Sequence, residues 1–366
     1  VKTARSVRIL TGISIAILTV SAVSTLAFTT VTASIEKIDA FAGLDKRPEK
    51  KSSAINYLLV GSDTREGLTR AEQKELRVGS VKTAAGKRSD TMLLVHISKS
   101  RDKAVLVSIP RDSFALIPEH TNIQGKVIPA VHSKINSSFN WGGAPLLIKT
   151  IEQMTNLKID HYVEINFVGF ARMVDSLGGI EVCTKKDIND SKSHLNLPAG
   201  VHTLNGIEAL KYVRTREFDG MGDIGRMQRQ QAFISSVIKK ATSLGVLLNP
   251  ITMTNFINSA LDSVTTDDGL RSSDMIVLAK QLKSLSVSNV RTLTVPLKSL
   301  NYNANGVTAA VLWDPVLAPE LWDRLREDRA VVDEVKPSPS PSATKIEEPI
   351  IIDKFKTRTA EENICR

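Results

Sequence analysis

Four short clusters in this chain combine acids, guanidinium groups and tight turns at intervals suited to phosphate chemistry. Gly61-Ser62-Asp63-Thr64-Arg65 closes one apolar run, and Arg88-Ser89-Asp90-Thr91 opens the next. Two carboxylates at the ends of neighbouring strands offer hard oxygen ligands to a divalent cation. Mg²⁺ takes one or two protein carboxylates and fills its remaining positions with water and substrate phosphate. Taken singly, each Asp is more often a turn residue or helix cap than a ligand. Pro110-Arg111-Asp112 ends the run Ala104–Ile109. The proline fixes the turn, so the arginine either faces a crevice or pairs on the surface with Asp112.

The fourth cluster is the densest. Arg214 and Arg216 are two apart at the exit of a helical run, and an extended exit aims both the same way. After a turn carrying Gly220, Gly222 and Asp223, the next helix presents Arg226, Arg229 and Gln230 at i, i+3 and i+4, one helix face. Four guanidinium groups and an amide fall within 17 residues, against Glu217, Asp219 and Asp223. A solvated charged face mixes signs more evenly. Such concentrated positive charge calls for a polyanion, and the planar arginine fork matches phosphate oxygens. One arginine 4 Å from a phosphate charge is worth about 4 kcal/mol at an effective dielectric near 20. Several, with a metal ion, hold a pyrophosphate and stabilise the charge that develops as it splits.

The elements that position these clusters follow from periodicity and turn signals. Strands are expected at Ile55–Val60, Thr91–Ser98, Ala104–Ile109, Asp160–Phe167, Gly179–Thr184 and Val290–Val295. Helices are expected at Asn136–Leu157, Val168–Leu177, 206–214 and 225–243, with two more across 250–286. The last runs from Trp313 to Asp328 and packs through Trp313, Leu321, Trp322 and Leu325. In 225–243, Phe233, Ile234, Val237 and Ile238 form one apolar stripe. Residues 64–88 form a polar surface excursion. This alternation is that of one α/β domain over residues 53–330.

The chain has 366 residues, 42% hydrophobic and 24% charged, in the ordinary range for a protein built round a core. Its net charge of +9 fits nucleic acid, anionic lipid or an anionic substrate. Two distant cysteines, Cys183 and Cys365, and six scattered His leave no CxxC pair and no HxxxH arrangement.

Ile9 to Val31 runs 23 positions without a charge. As a helix it spans roughly 34 Å, enough for the ~30 Å hydrocarbon core of a membrane. Lys2, Arg5 and Arg8 precede it and, by the positive-inside rule, stay in the cytoplasm. The expected organisation is a cytoplasmic segment 1–8, a transmembrane signal anchor 9–31, a stalk 32–52, the extracytoplasmic domain 53–330 and a disordered Pro/Ser-rich tail 331–366. A cleavable signal peptide is the alternative, although its apolar region is usually shorter. An outward-facing body leaves nucleic acid out as a partner.

Taken together in order, the clusters resemble the LytR-CpsA-Psr family of bacterial cell-wall glycopolymer ligases. The resemblance rests on the Gly61–Arg65 and Arg88–Thr91 words, Ser108-Ile109-Pro110-Arg111-Asp112, Lys134-Ile135-Asn136 and Val174-Asp175-Ser176-Leu177-Gly178-Gly179. It continues through Ala209-Leu210-Lys211-Tyr212-Val213-Arg214-Thr215-Arg216 and Gly222-Asp223-Ile224-Gly225-Arg226 into Arg229-Gln230-Gln231. It implies an α-β-α sandwich around a mixed central sheet, with an apolar pocket for a polyprenyl tail. It also implies transfer of a glycan phosphate from a polyprenyl-pyrophosphate carrier to a peptidoglycan hydroxyl at the cell membrane. Asp63 and Asp90 match the family's ligands for Mg²⁺, with Mn²⁺ as the alternative ion. Arg111, Arg214, Arg216 and Gln230 match its pyrophosphate-binding residues, and Arg88, Lys134 and Arg226 fall in words beside them. Arg111, Arg214 and Arg216 are the catalytic candidates, with Asp223 a candidate base. Hydrolysis of the same carrier, or its non-catalytic binding by an envelope regulator, are the competing functions. Many actinobacterial relatives carry a cysteine where Val201 stands, opposite Cys183. Without it, Cys183 is expected to be a buried free thiol.

Overall fold

The structure, a computed structural model, describes residues 35–62, 89–122, 125–216, 222–241, 250–271, 287–335 and 350–359, with isolated positions between them. Eight strands form its central sheet: β1 (Glu36–Ile38), β2 (Ile55–Ser62), β3 (Ser89–Ile97), β4 (Ala104–Ile109), β5 (His161–Ile165), β6 (Val264–Asp267), β7 (Val290–Thr294) and β8 (Arg358–Thr359). Their order across the sheet is β1-β6-β5-β2-β3-β4-β7-β8. The pairs β1–β6, β5–β2 and β4–β7 are parallel and the rest antiparallel, so the sheet is mixed.

The helices described are α1 (Ile135–Thr155), α2 (Phe167–Ser176), α3 (Gly206–Arg214), α4 (Gly222–Ala241), α5 (Pro250–Leu261) and α6 (Leu317–Arg326). Strand alternation sends Leu58, Val60, Met92 and Leu94 to one face, where α1 and α6 cover them with Leu147, Ile151, Leu321 and Trp322. On the opposite face Leu93, Leu106 and Val290 meet Ile234 and Ile238 of α4. Helices therefore flank both faces. A smaller core joins α2, α3 and the hairpin Ile180–Thr184/Gly200–Leu204 to Phe233 of α4. The stripe expected on α4 thus divides between two cores. α1 kinks at Gly142 and Gly143, just before Pro145, which has no backbone N–H to donate.

Several boundaries differ from the expected ones. Residues 35–52 belong to the domain rather than to a stalk. β1 pairs with β6, Ala40 is fully buried, and Arg47 makes a bidentate pair with Glu152 at 2.6–3.2 Å. A three-residue strand is too short to show alternation, so it leaves no periodic trace. The C-terminal segment is not disordered throughout. Ile350–Ile352 pairs with Asp333–Val335, β8 extends the central sheet, and Phe355 is buried in the main core. The Pro/Ser run itself lies outside the described residues, as do most of the 64–88 excursion and the apolar segment 9–31. No helix among the described residues is long and apolar enough to cross a membrane. Part of the expected helical stretch 250–286 is β6, and Trp313 ends a hairpin, Leu297–Ala304/Val307–Trp313, that precedes α6. Cys183 is disulfide-bonded, not a free thiol. The one other cysteine in the sequence is Cys365.

Candidate active site

β2, β4, β5 and β7 all end at one edge of the sheet, where β3 begins. Register sets Gly61 opposite Thr91 and beside Ile165, and Ser108 beside Thr294. Open α/β sheets bind ligands outside such carboxyl ends. At this edge the chain leaves β4 through Pro110-Arg111-Asp112, and α1 begins against that turn. The Ile135 amide donates to the Ser113 carbonyl at 2.8 Å, and the Asn136 amide to the Arg111 carbonyl at 3.1 Å. Amides of the first helical turn, which have no partner within the helix, thereby fix the loop. Asn136 Oδ1 accepts the Ser89 amide at 3.1 Å, tying the start of β3 to the start of α1. Lys134, at the N-cap of α1, reaches Asp112 at 3.2 Å, and Arg111 Nε lies 3.6 Å from the other oxygen of the same carboxylate.

A second group of the same design comes from α4. Asp223 Oδ1 is 3.3 Å from Arg216 Nε and 3.4 Å from Arg226 Nη2. The Arg216 amide donates to Asp190 at 2.7 Å, which fixes the extended segment after α3. Arg226 is only 4% exposed, and its Nε is buried without a hydrogen-bond partner among the described residues. A desolvated cationic donor of this kind is stabilised by an anion. α4 itself is pinned by Gln231, whose amide nitrogen donates to Ser108 Oγ at 2.9 Å and Thr294 Oγ1 at 3.1 Å, at the ends of β4 and β7.

Members of both groups line one cavity of about 300 Å³: Arg111, Asp112, Asp223, Arg226 and Gln230, with Thr91 and Met92 from β3, while Lys134 and Arg216 join it through Asp112 and Asp223 and are not among its lining residues. Asp112 meets Arg111 and Lys134, and Asp223 meets Arg216 and Arg226. Each of these two carboxylates thus gathers two cations.

The remaining sequence candidates are placed as follows. Arg214 does not line the cavity; its guanidinium lies over the Phe167 ring, 5.0 Å from the centroid. α3 continues through Arg214, and the chain turns extended at Thr215. Arg229 is buried and donates to the Thr215 carbonyl at 2.5 Å, supporting the segment that carries Arg216. Gln230 lines the cavity while its amide nitrogen donates to the Val213 carbonyl at 3.1 Å. Asp90 lies in β3 directly before Thr91, and its side chain lies outside the described residues, as do Asp63 and Arg88 entirely. Burial pushes the Tyr212 hydroxyl up to about 12, against the opposing charge of Arg229, so it stays neutral. Sequence reasoning overlooked Asn136, Gln231, Ser108 and Thr294 as positioning residues. Only strand register and helix docking bring them together.

The model of the LytR_cpsA_psr family matches residues 20–317. This chain belongs to the LytR-CpsA-Psr family. It is 35% identical over 276 residues to the probable cell wall biosynthesis protein LcpB of Corynebacterium glutamicum, covering 75% of this chain and 62% of that one. It is also 35% identical over 203 residues to TagT of Bacillus subtilis, a polyisoprenyl-teichoic acid–peptidoglycan teichoic acid transferase, covering 54% and 55% of the two chains. The chain thus spans 62% or less of the length of these two curated relatives. The crystal structure of B. subtilis TagT superposes with a TM-score of 0.54 at 26% identity, over 81% of this chain and 98% of that one. A LytR-Csp2A-Psr enzyme from Actinomyces oris shares the fold, with a TM-score of 0.58 over 80% of this chain and 95% of that one.

Proposed function

We propose that this LytR-CpsA-Psr protein is a phosphotransferase that moves a glycan phosphate from a polyprenyl-pyrophosphate carrier to a peptidoglycan hydroxyl. The observation that carries the proposal is the pair of cation–carboxylate–cation groups that meet at one cavity, which Arg111 and Arg226, groups that match phosphate oxygens, line from opposite elements. Arg111 and Lys134 hold the diphosphate from the β4 side, and Arg216 and Arg226 hold it from the α4 side. Binding there draws the guanidinium groups from Asp112 and Asp223 toward phosphate oxygens. A sugar hydroxyl then attacks the phosphorus nearer the glycan; the new P–O bond forms as the bond to the bridging oxygen breaks. Polyprenyl monophosphate leaves with that oxygen, and the hydroxyl proton passes to a base. Asp223 is the candidate base, at the cavity wall and 43% exposed at its side chain. Fixed positive charge and alignment supply most of the rate in such transfers.

Asp63 and Asp90 are the proposed magnesium ligands. Their carboxylates are the hard oxygen donors that Mg²⁺ prefers, and Asp90 directly precedes Thr91 on the cavity wall. When bound, the ion neutralises diphosphate oxygens and so stabilises the developing charge. The segment 9–31 is proposed as a signal anchor that holds the domain on the outer side of the cell membrane.

Release of polyprenyl phosphate from a lipid-linked glycan in the presence of Mg²⁺ and peptidoglycan tests this function. Arg111→Ala and Asp63→Ala should each lower the rate about 10²–10³-fold, the usual loss for one transition-state electrostatic contact. Wild-type turnover in both variants would remove the site assignment. Glycan released as a free phosphate, rather than attached to peptidoglycan, would make the protein a hydrolase.

A further inference from the structure

We propose that the sheet edge carrying the cavity faces the lipid surface, held there by the short link between the apolar segment and β1. This rests on the proposal that residues 9–31 span the membrane. The register decides the direction. β1 runs parallel to β6, with Glu36 beside Thr265; β6 runs antiparallel to β5, with Val264 beside Ile165; and β5 runs parallel to β2, with Ile165 beside Gly61. The chain therefore enters the domain at the level of Gly61 and Thr91, the same edge at which β2, β4 and β7 end. Entry at the opposite end of β1 would have set the cavity away from the membrane.

The link is short. Only Thr32, Ala33 and Ser34 separate Val31 from Ile35, which is already buried. However it folds, four residue steps reach at most about 14 Å. Across the sheet β1 lies three strands from β2, about 14 Å, and five from β4, about 24 Å. The link thus keeps the entry point of this edge within about 14 Å of the apolar segment, and the cavity at the same edge is turned toward the headgroups, where a polyprenyl-linked diphosphate resides.

Exposed apolar side chains occur at this edge. Leu300, 55% exposed, lines the cavity from the hairpin that follows β7. Val316, 71% exposed, stands at the N-cap of α6, next to Asp314, whose amide donates to the Pro296 carbonyl two residues past β7. α6 then runs down the sheet until Asp328 bonds His96 and the Lys99 amide near the far end of β3. Lys134 and Arg111 add positive charge suited to anionic headgroups.

The test uses the full chain in liposomes containing phosphatidylglycerol and a nitroxide-bearing phospholipid. Cys183 is disulfide-bonded, so an introduced cysteine can be labelled selectively with a fluorophore under oxidising conditions. The label at Val316→Cys should be quenched several-fold more than the label at Lys99→Cys, in the turn at the opposite edge. A flexible spacer of twenty Gly/Ser residues inserted after Ala33 should reduce that difference. Equal quenching at both positions, or stronger quenching at position 99, overturns the orientation while leaving the anchor intact. Failure of the full chain to enter liposomes overturns the anchor and this inference together.

Discussion

Asp112 and Asp223 are the residues on which the resting site turns, because each holds two cations that a substrate would otherwise meet directly. Asp223→Asn removes the anion that competes for Arg216 and Arg226. Inorganic pyrophosphate should then bind several-fold tighter at low ionic strength, about 1 kcal/mol for partly exposed charge pairs, as titration calorimetry would record. If Asp223 also accepts the acceptor proton, kcat falls in the same variant although binding improves. Unchanged kcat would assign Asp223 to holding arginines alone. Arg226→Lys keeps the charge but loses the planar fork, and is expected to lower kcat without restoring it at high Mg²⁺. The guanidinium at position 226 thereby differs from a simple counter-charge.

Single hydrogen bonds decide where the elements carry these residues. Gln231 joins α4 to the ends of β4 and β7. Gln231→Ala leaves the buried Ser108 hydroxyl and the half-buried Thr294 hydroxyl without this partner and should cost about 1–3 kcal/mol in denaturant unfolding. Activity should fall further than stability explains, because Arg226 and Gln230 ride on the same helix. At the other side of the sheet, Asp267 clamps β6 to β5. Its Oδ2 accepts the Tyr162 amide at 3.0 Å and lies 3.3 Å from His161 Nδ1, while Lys37 of β1 donates to its carbonyl at 3.2 Å. Burial alone would raise the Asp267 pKa, but the His161 and Tyr162 hydrogen bonds outweigh it and hold the carboxyl below its ordinary value. Its contribution is therefore complete above the unfolded carboxylate pKa near 4 and is lost as pH falls through the lower folded value. Asp267→Asn should remove about 2 kcal/mol at neutral pH and flatten the acid limb of a stability-versus-pH curve.

For the molecule as a whole, the β8 pairing fastens the C-terminal segment to the domain, and Cys183 is disulfide-bonded. Cys183→Ser should destabilise the oxidised protein by about 2–5 kcal/mol, the usual cost of losing a native disulfide. Reductant should lower the melting temperature of the wild type and leave that of the variant unchanged. The α/β class, the main strands and helices, and the phosphate-directed words around Arg111 and Arg226 are all legible in the sequence, because alternation, helical periodicity and local charge density are local properties. The role of 35–52, the docking of the C-terminal strands, the pairing state of Cys183 and the contact of Arg214 with Phe167 were not. Each depends on contacts between segments far apart in the chain, in stretches too short or too polar to carry a period. Residue chemistry fixed which groups could meet a diphosphate, but only the register of the mixed sheet and the docking of α4 brought four cations and two carboxylates to one edge.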